Sequence, residues 1–157
     1  MRIKRAGEWR SKRTAPIYTE KRAHCDFEDI PSIMKKGDIY VSTSLGEGFG
    51  ISGMNAMALG IPVITPRFGG CLEYALPDLC TYINPKSYKT YRVMDGITQF
   101  NNCIWPVLSI GDTRDAMRSV YENFKDAEKK AAAAYKYVHN NFTYDVIGPK
   151  FIEAVSL

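Results

Sequence analysis

The sequence predicts an α/β domain built on a parallel sheet and finished by a helical tail. Two observations carry this. Short apolar runs at residues 38–42, 61–65 and 79–83 alternate with helical patterns, and glycine-rich segments stand between strand and helix at 45–50 and 69–70. A strand followed by a helix and a neighbouring strand is the right-handed βαβ unit, which makes the sheet parallel.

Taken in order, residues 1–25 form a basic arm with little regular pattern. Short strands are expected at 1–4 and 16–18, with a polar loop between them. Phe27, Ile30, Ile33 and Met34 recur at three- and four-residue steps, the spacing of one face of a short helix that Gly37 would end. Pro31 fits there only near the first turn. Residues 38–42 read as a strand entering the glycine-rich segment, and 51–59, rich in Met and Ala, as a helix buried on most sides and closed by Gly60. The core over 26–83 then adds a strand at 61–65, a short helix at 72–76 behind Gly69-Gly70, and a third strand at 79–83. Residues 84–111, with Pro85, Gly96, Asn101, Asn102 and Pro106, are longer than most loops and read as an irregular insertion with the span of a lid. The tail over 112–157 holds three helices. Asp112 or Thr113 would cap the first, which runs to 124 with Ala116, Met117, Val120 and Tyr121 as its apolar stripe. The second covers 126–140. The third, 144–155, would be kinked or delayed by Gly148-Pro149.

Composition bounds the function. With 157 residues, 45% hydrophobic and 24% charged, the chain has the size and make-up of one globular domain. It has no run near the ~18 apolar residues that cross a bilayer. The first 13 residues are basic and lack the apolar stretch of a secretory signal, so the cytoplasm is the expected location. Cysteines at 25, 71, 80 and 103, with histidines only at 24 and 139, match no zinc spacing and read as small buried hydrophobes; no metal is expected. Of the 21 Lys and Arg, eight fall in residues 1–24 beside two of the 17 Asp and Glu, so the net charge of +4 belongs to the arm. Without interleaved aromatics or a recognisable module, the arm reads as solvated or partner-covering and not as a nucleic-acid site.

A glycine-rich loop between a parallel strand and a helix suits an anion. Glycines let the backbone come close, and the helix N-terminus presents unpaired N–H groups with partial positive charge. Two such loops on the carboxyl edge of one sheet point to a phosphate-bearing ligand. Taken alone, Gly46-Glu47-Gly48-Phe49-Gly50 matches neither common nucleotide fingerprint, and a pair of tight turns remains the alternative.

Residues 38–76, DIYVSTSLGEGFGISGMNAMALGIPVITPRFGGCLEYAL, resemble the donor-binding heart of the retaining GT-B glycosyltransferases, the group related to sucrose synthase and bacterial mannosyltransferases. The shared elements are a glutamate before Gly-Phe-Gly, an Ala-Met-Ala helix, a Gly-x-Pro-Val strand and a Gly-Gly-x-x-Glu loop. A more generic similarity extends over 26–155. The resemblance implies a Rossmann-like half of a GT-B fold that binds a nucleoside diphosphate sugar as substrate and needs no cofactor. It places Glu47 at the sugar, Gly48, Phe49 and Gly50 at the diphosphate, with Phe49 more a packing residue than a chemical one, and Gly69 and Gly70 in a second loop beside the donor. Arg67 is the cation next to that loop, for phosphate or for solvent. Glu73 is either a polar contact or a short-helix carboxylate.

Two departures stand out. Eight positions after Glu47 the family has a second glutamate that accepts hydrogen bonds from the ribose; here Asn55 stands there, able to accept one bond through its amide oxygen without the strength of a charge, or marking a site that has decayed. The family also uses two Rossmann-like domains, and this length holds one. The resemblance therefore implies an N-terminal acceptor-binding domain or a partner chain, or self-association over an exposed apolar patch. No catalytic side chain is assigned. The alternative to an enzyme part is a binding or scaffold module that kept the fold.

Overall fold

The computed structural model describes residues 26–91 and 103–156 together with the strand pairs at 4–5 and 18–19. The chain divides into two compact units, Met1–Ile30 and Pro31–Leu157. In the first, β1 (Lys4–Arg5) pairs antiparallel with β2 (Tyr18–Thr19), Lys4 opposite Thr19. A 3-10 turn covers Phe27–Asp29. The rest of the basic arm lies outside the described residues.

The second unit opens within α1 (Ile30–Met34) and is the α/β domain the sequence predicts. Three parallel strands, β3 (Tyr40–Val41), β4 (Val63–Pro66) and β5 (Thr81–Ile83), lie side by side in that order. Val63 stands opposite Tyr40, and Ile64 is flanked by Val41 and Thr81. Residues 61–66 are buried throughout, as a central strand covered on both faces requires. Alternation along β4 builds two cores. Val63 joins Ala56 and Met57 of α2 (Ile51–Ala58), together with Tyr74, Ala134 and Val138. Ile64 turns the other way, toward Ile83, Val120 and Ala127, with Ile39, Val41, Leu108 and Ala116 half-buried around them. Gly60 ends α2 at φ 71°, its N–H bonded to the Met57 carbonyl at 2.9 Å, the left-handed stop that the sequence places there.

Several elements differ from expectation. The helix expected at 72–76 is a 3-10 turn over Gly70–Glu73. The third strand shortens to Thr81–Ile83, because the Leu79 N–H closes a turn onto the Leu76 carbonyl at 2.9 Å. Residues 84–111, read as irregular, contain β6 (Ser87–Tyr91) and β7 (Cys103–Val107), an antiparallel ribbon with Lys89 opposite Trp105 and Tyr88 opposite Pro106. The cap of α3 (Ile110–Glu122) is neither Asp112 nor Thr113. Ser109 holds that place, its Oγ accepting from the Asp112 N–H at 2.9 Å, which satisfies one of the orphan donors of the first turn. Asn123 separates α3 from α4 (Phe124–Asn141). The last helix, α5 (Tyr144–Val155), starts without delay and carries Pro149 inside it; the proline removes one N–H from the second turn, and the helix continues past it.

Candidate functional site

Two glycine loops meet where the chain leaves the carboxyl ends of β3 and β4. In the first, the Ser42 hydroxyl accepts from the Ser44 N–H at 3.3 Å, and the Ser44 hydroxyl donates to the Gly46 carbonyl at 3.2 Å. Gly50, at φ 78°, turns the loop into α2 without any side-chain cap. No acceptor among the described residues takes the N–H groups of Gly48, Phe49 or Gly50, so the α2 N-terminus keeps its free donors. In the second loop Gly69 has φ 81°, and the Gly70 N–H donates to the Glu47 carbonyl at 3.4 Å. A Cβ built on Gly70 would lie 1.8 Å from the Gly48 carbonyl oxygen. The loops are packed backbone on backbone, and only glycine fits between them.

Beneath this contact is a polar cavity of about 20 Å³, whose lining includes Tyr40, Ser42, Glu47, Ser52, Thr65 and Tyr74. That volume is close to one water molecule, so a larger ligand would lie on the open side of the loops, where Glu47 and Gly48 are exposed. Tyr74 is fully buried and donates to the Gly50 carbonyl at 2.5 Å. Burial, reinforced by Cys71, Tyr40 and Glu47 nearby, pushes its hydroxyl far above the ordinary tyrosine range. Tyr40 is raised too, by burial first and by Glu47, against a hydrogen bond with Ser52 that lowers it. Both phenols therefore stay neutral donors near pH 7.

The nine residues singled out from sequence do not all converge. Glu47, Gly48, Phe49 and Gly50 are brought against Gly69 and Gly70. Phe49 turns inward, its ring 5.3 Å from Tyr74 and 6.0 Å from Phe142. Arg67 is exposed and places its guanidinium 5.6 Å from the centre of the Tyr82 ring. Asn55 is half-buried on the second turn of α2, and Glu73 is exposed at the end of its 3-10 turn. None of these last three lines the small cavity. Sequence reasoning missed Tyr40, Ser42, Ser52, Thr65 and Tyr74. The i, i+2 spacing of Tyr40 and Ser42 at the end of a strand was the signal available, since such residues share a face.

The ribbon reaches both loops. Trp105 lies against Gly46, where a built Cβ would come within 1.9 Å of its ring, and Tyr88 packs on Phe68 with centroids 5.9 Å apart. A separate cleft of about 860 Å³ opens between β3 and α3. It is lined by Ile39, Val41, Leu45, Leu108, Ile110 and Tyr121 among others, with Arg114 and Arg118 beside them. Ile110 and Tyr121 are 88% and 79% exposed there, too open for residues of a finished core.

Residues 23–99 match the family model described as glycosyl transferases group 1. The resemblance carried by residues 38–76 is thereby borne out, and the parallel sheet with its helical tail is compatible with a Rossmann-like half. A curated relative, "Uncharacterized protein 356" of Sulfolobus islandicus rod-shaped virus 1, is 22% identical over 129 residues. The match covers 82% of this chain and 36% of the relative, so the chain spans about a third of the length of the protein it resembles. No helix among the described residues is long and apolar enough to cross a membrane.

Proposed function

We propose that the paired glycine loops bind a nucleoside diphosphate sugar, and that the chain supplies the donor-binding half of a retaining glycosyl transferase. The observation that carries this reading is the backbone contact between the loops at one edge of a parallel sheet, with no acceptor among the described residues on the amides of Gly48, Phe49 and Gly50 before α2. Those amides and the helix N-terminus suit a diphosphate, Glu47 stands beside them for sugar hydroxyls, and Asn55 is the residue assigned to the ribose. In transfer, the bond between the anomeric carbon and the diphosphate oxygen breaks with its electron pair leaving on the diphosphate. An acceptor hydroxyl oxygen bonds to the carbon in its place, and the hydroxyl proton passes to the departing diphosphate. Fixed N–H donors stabilise the charge gathering on the departing diphosphate. No cofactor and no metal enter this scheme.

The acceptor would come with an N-terminal domain or a partner chain. The open apolar cleft between β3 and α3, with exposed Ile110 and Tyr121, supports a covering partner of that kind or a second copy of this chain. A non-catalytic binding module is the second reading, favoured by Asn55 where a carboxylate is expected. Calorimetric titration with UDP-glucose and GDP-mannose separates the two. Binding that Glu47→Ala weakens supports the donor site, and no heat with either compound at millimolar concentration refutes it.

A further inference from the structure

We infer that Trp105 is a positioning residue for the sugar end of the donor, acting through Gly46 on Glu47; this rests on the reading of the glycine loops as the donor site. Gly46 is not among the described glycines with positive φ, which are Gly50, Gly60 and Gly69, so its backbone does not demand a glycine. Its surroundings do. A Cβ there would lie 1.9, 2.6 and 2.7 Å from Cζ3, Cη2 and Cε3 of Trp105, so the six-membered edge of the indole occupies the space of the missing side chain. A Cβ built on Gly48, two residues on, would meet nothing within 4 Å. The loop is thus gripped immediately before Glu47, by the indole on Gly46 and by the Ser44 hydroxyl on its carbonyl, while immediately after it the side-chain face is open and only the backbone is held, against Gly70.

The grip has a fixed base. Pro106, next to Trp105, is fully buried. Tyr88 lies opposite Pro106 in the ribbon and packs on Phe68, the residue before Gly69. Lys86, at the stem of the ribbon, is paired with Asp112 at 2.6 Å in the first turn of α3. One two-stranded ribbon therefore touches both glycine loops, at the residue before Glu47 and at the residue before Gly69. The residues from Gly48 to Gly50 have supports of their own, Gly48 against Gly70, Phe49 against the Tyr74 ring, and the Gly50 carbonyl on the Tyr74 hydroxyl. Loosening Trp105 should disturb recognition of the sugar more than recognition of the diphosphate.

Affinities of the full chain for UDP, UDP-glucose, GDP and GDP-mannose, compared by calorimetry among wild type, Trp105→Ala, Trp105→Phe and Gly46→Ala, test this. For the nucleotide sugar that binds, Trp105→Ala and Gly46→Ala should each weaken affinity about tenfold, while the matching diphosphate changes less than about threefold; Trp105→Phe, which keeps a ring at Gly46, should stay near wild type. If Trp105→Ala does not fold, as judged by circular dichroism, Gly46→Ala decides. Equal losses for sugar and diphosphate, or no loss from either folded variant, would overturn the inference and leave the donor reading in place. Absence of all four ligands from the wild type would overturn both.

Discussion

Replacing Gly70 by alanine should pull the two loops apart. The new methyl would sit 1.8 Å from the Gly48 carbonyl oxygen, 2.7 Å from its carbon and 3.2 Å from the Phe49 Cα. All three are backbone atoms, so no side-chain rotation relieves the contact, and the loops must separate by roughly 1.2 Å to reach the tightest tolerated approach of 3.0 Å. Such a shift breaks the Gly70 N–H bond to the Glu47 carbonyl. Gly70 has no positive φ, so at an open site the substitution would stabilise the chain by about 0.4–1 kcal/mol through the unfolded state. Here overpacking costs about 1–3 kcal/mol and the lost hydrogen bond about 1 kcal/mol more, for a net loss on the order of 2–3 kcal/mol. Urea unfolding followed by circular dichroism measures this, with Gly48→Ala as the comparison, because a Cβ there meets nothing and should stabilise the chain by about 0.4–1 kcal/mol. Equal unfolding midpoints for the two variants would refute the close packing of the loops.

Three further outcomes are expected. Stability should fall in alkali. Burial raises the Cys80 thiol from 9.0 to about 11 and the Tyr82 hydroxyl from 10.0 to about 12; the unfolded chain therefore releases these protons first, so stability is full below pH 9 and declines as pH climbs toward 12. Urea midpoints at intervals from pH 7 to 11 should decline only above pH 9, and a flat series would contradict the burial of both groups. Ser109→Ala should lower stability by about 1 kcal/mol through loss of the α3 cap, whereas Thr113→Ala should lower it less; the reverse order by urea unfolding would restore Thr113 as the cap. Asn55→Glu should tighten nucleotide-sugar binding about fivefold, since a charged acceptor strengthens bonds to ribose hydroxyls by on the order of 1 kcal/mol; unchanged calorimetric affinity would remove Asn55 from the site.

What sequence could show was set by how local the cause was. The βαβ core was legible because residues 61–66 are apolar apart from Thr65, and Gly60 marks the end of α2 by its own φ. The ribbon was not legible. Residues 87–90 are exposed on every side chain, so β6 carries no apolar alternation, and β7 contains Pro106, which argues against a strand until it is placed on a two-stranded ribbon where the missing N–H does no harm. At the site, the glycines announced themselves through spacing, but the neighbours that make them obligatory are remote in sequence: Trp105 for Gly46, and Gly48 for Gly70. Tyr74 likewise reads as an ordinary apolar residue until its hydroxyl is seen on the Gly50 carbonyl. Arg67 gained a neighbour that its place beside the loop did not announce: its guanidinium lies over the Tyr82 ring.

Phe49 rests on Phe142, and Phe142 in turn lies 5.9 Å from Tyr137 near the end of α4. The middle residue of the first glycine loop is thus seated on an aromatic wall that is made about ninety residues later. During synthesis, at about 5–20 residues per second, the loop would emerge several seconds before the wall exists. Closing so long a stretch of chain is also among the slower steps of folding. The sheet edge can form early from neighbouring segments, but the loop acquires its aromatic support only once the ribosome has released the end of α4, so the first glycine loop settles later than the strands that carry it.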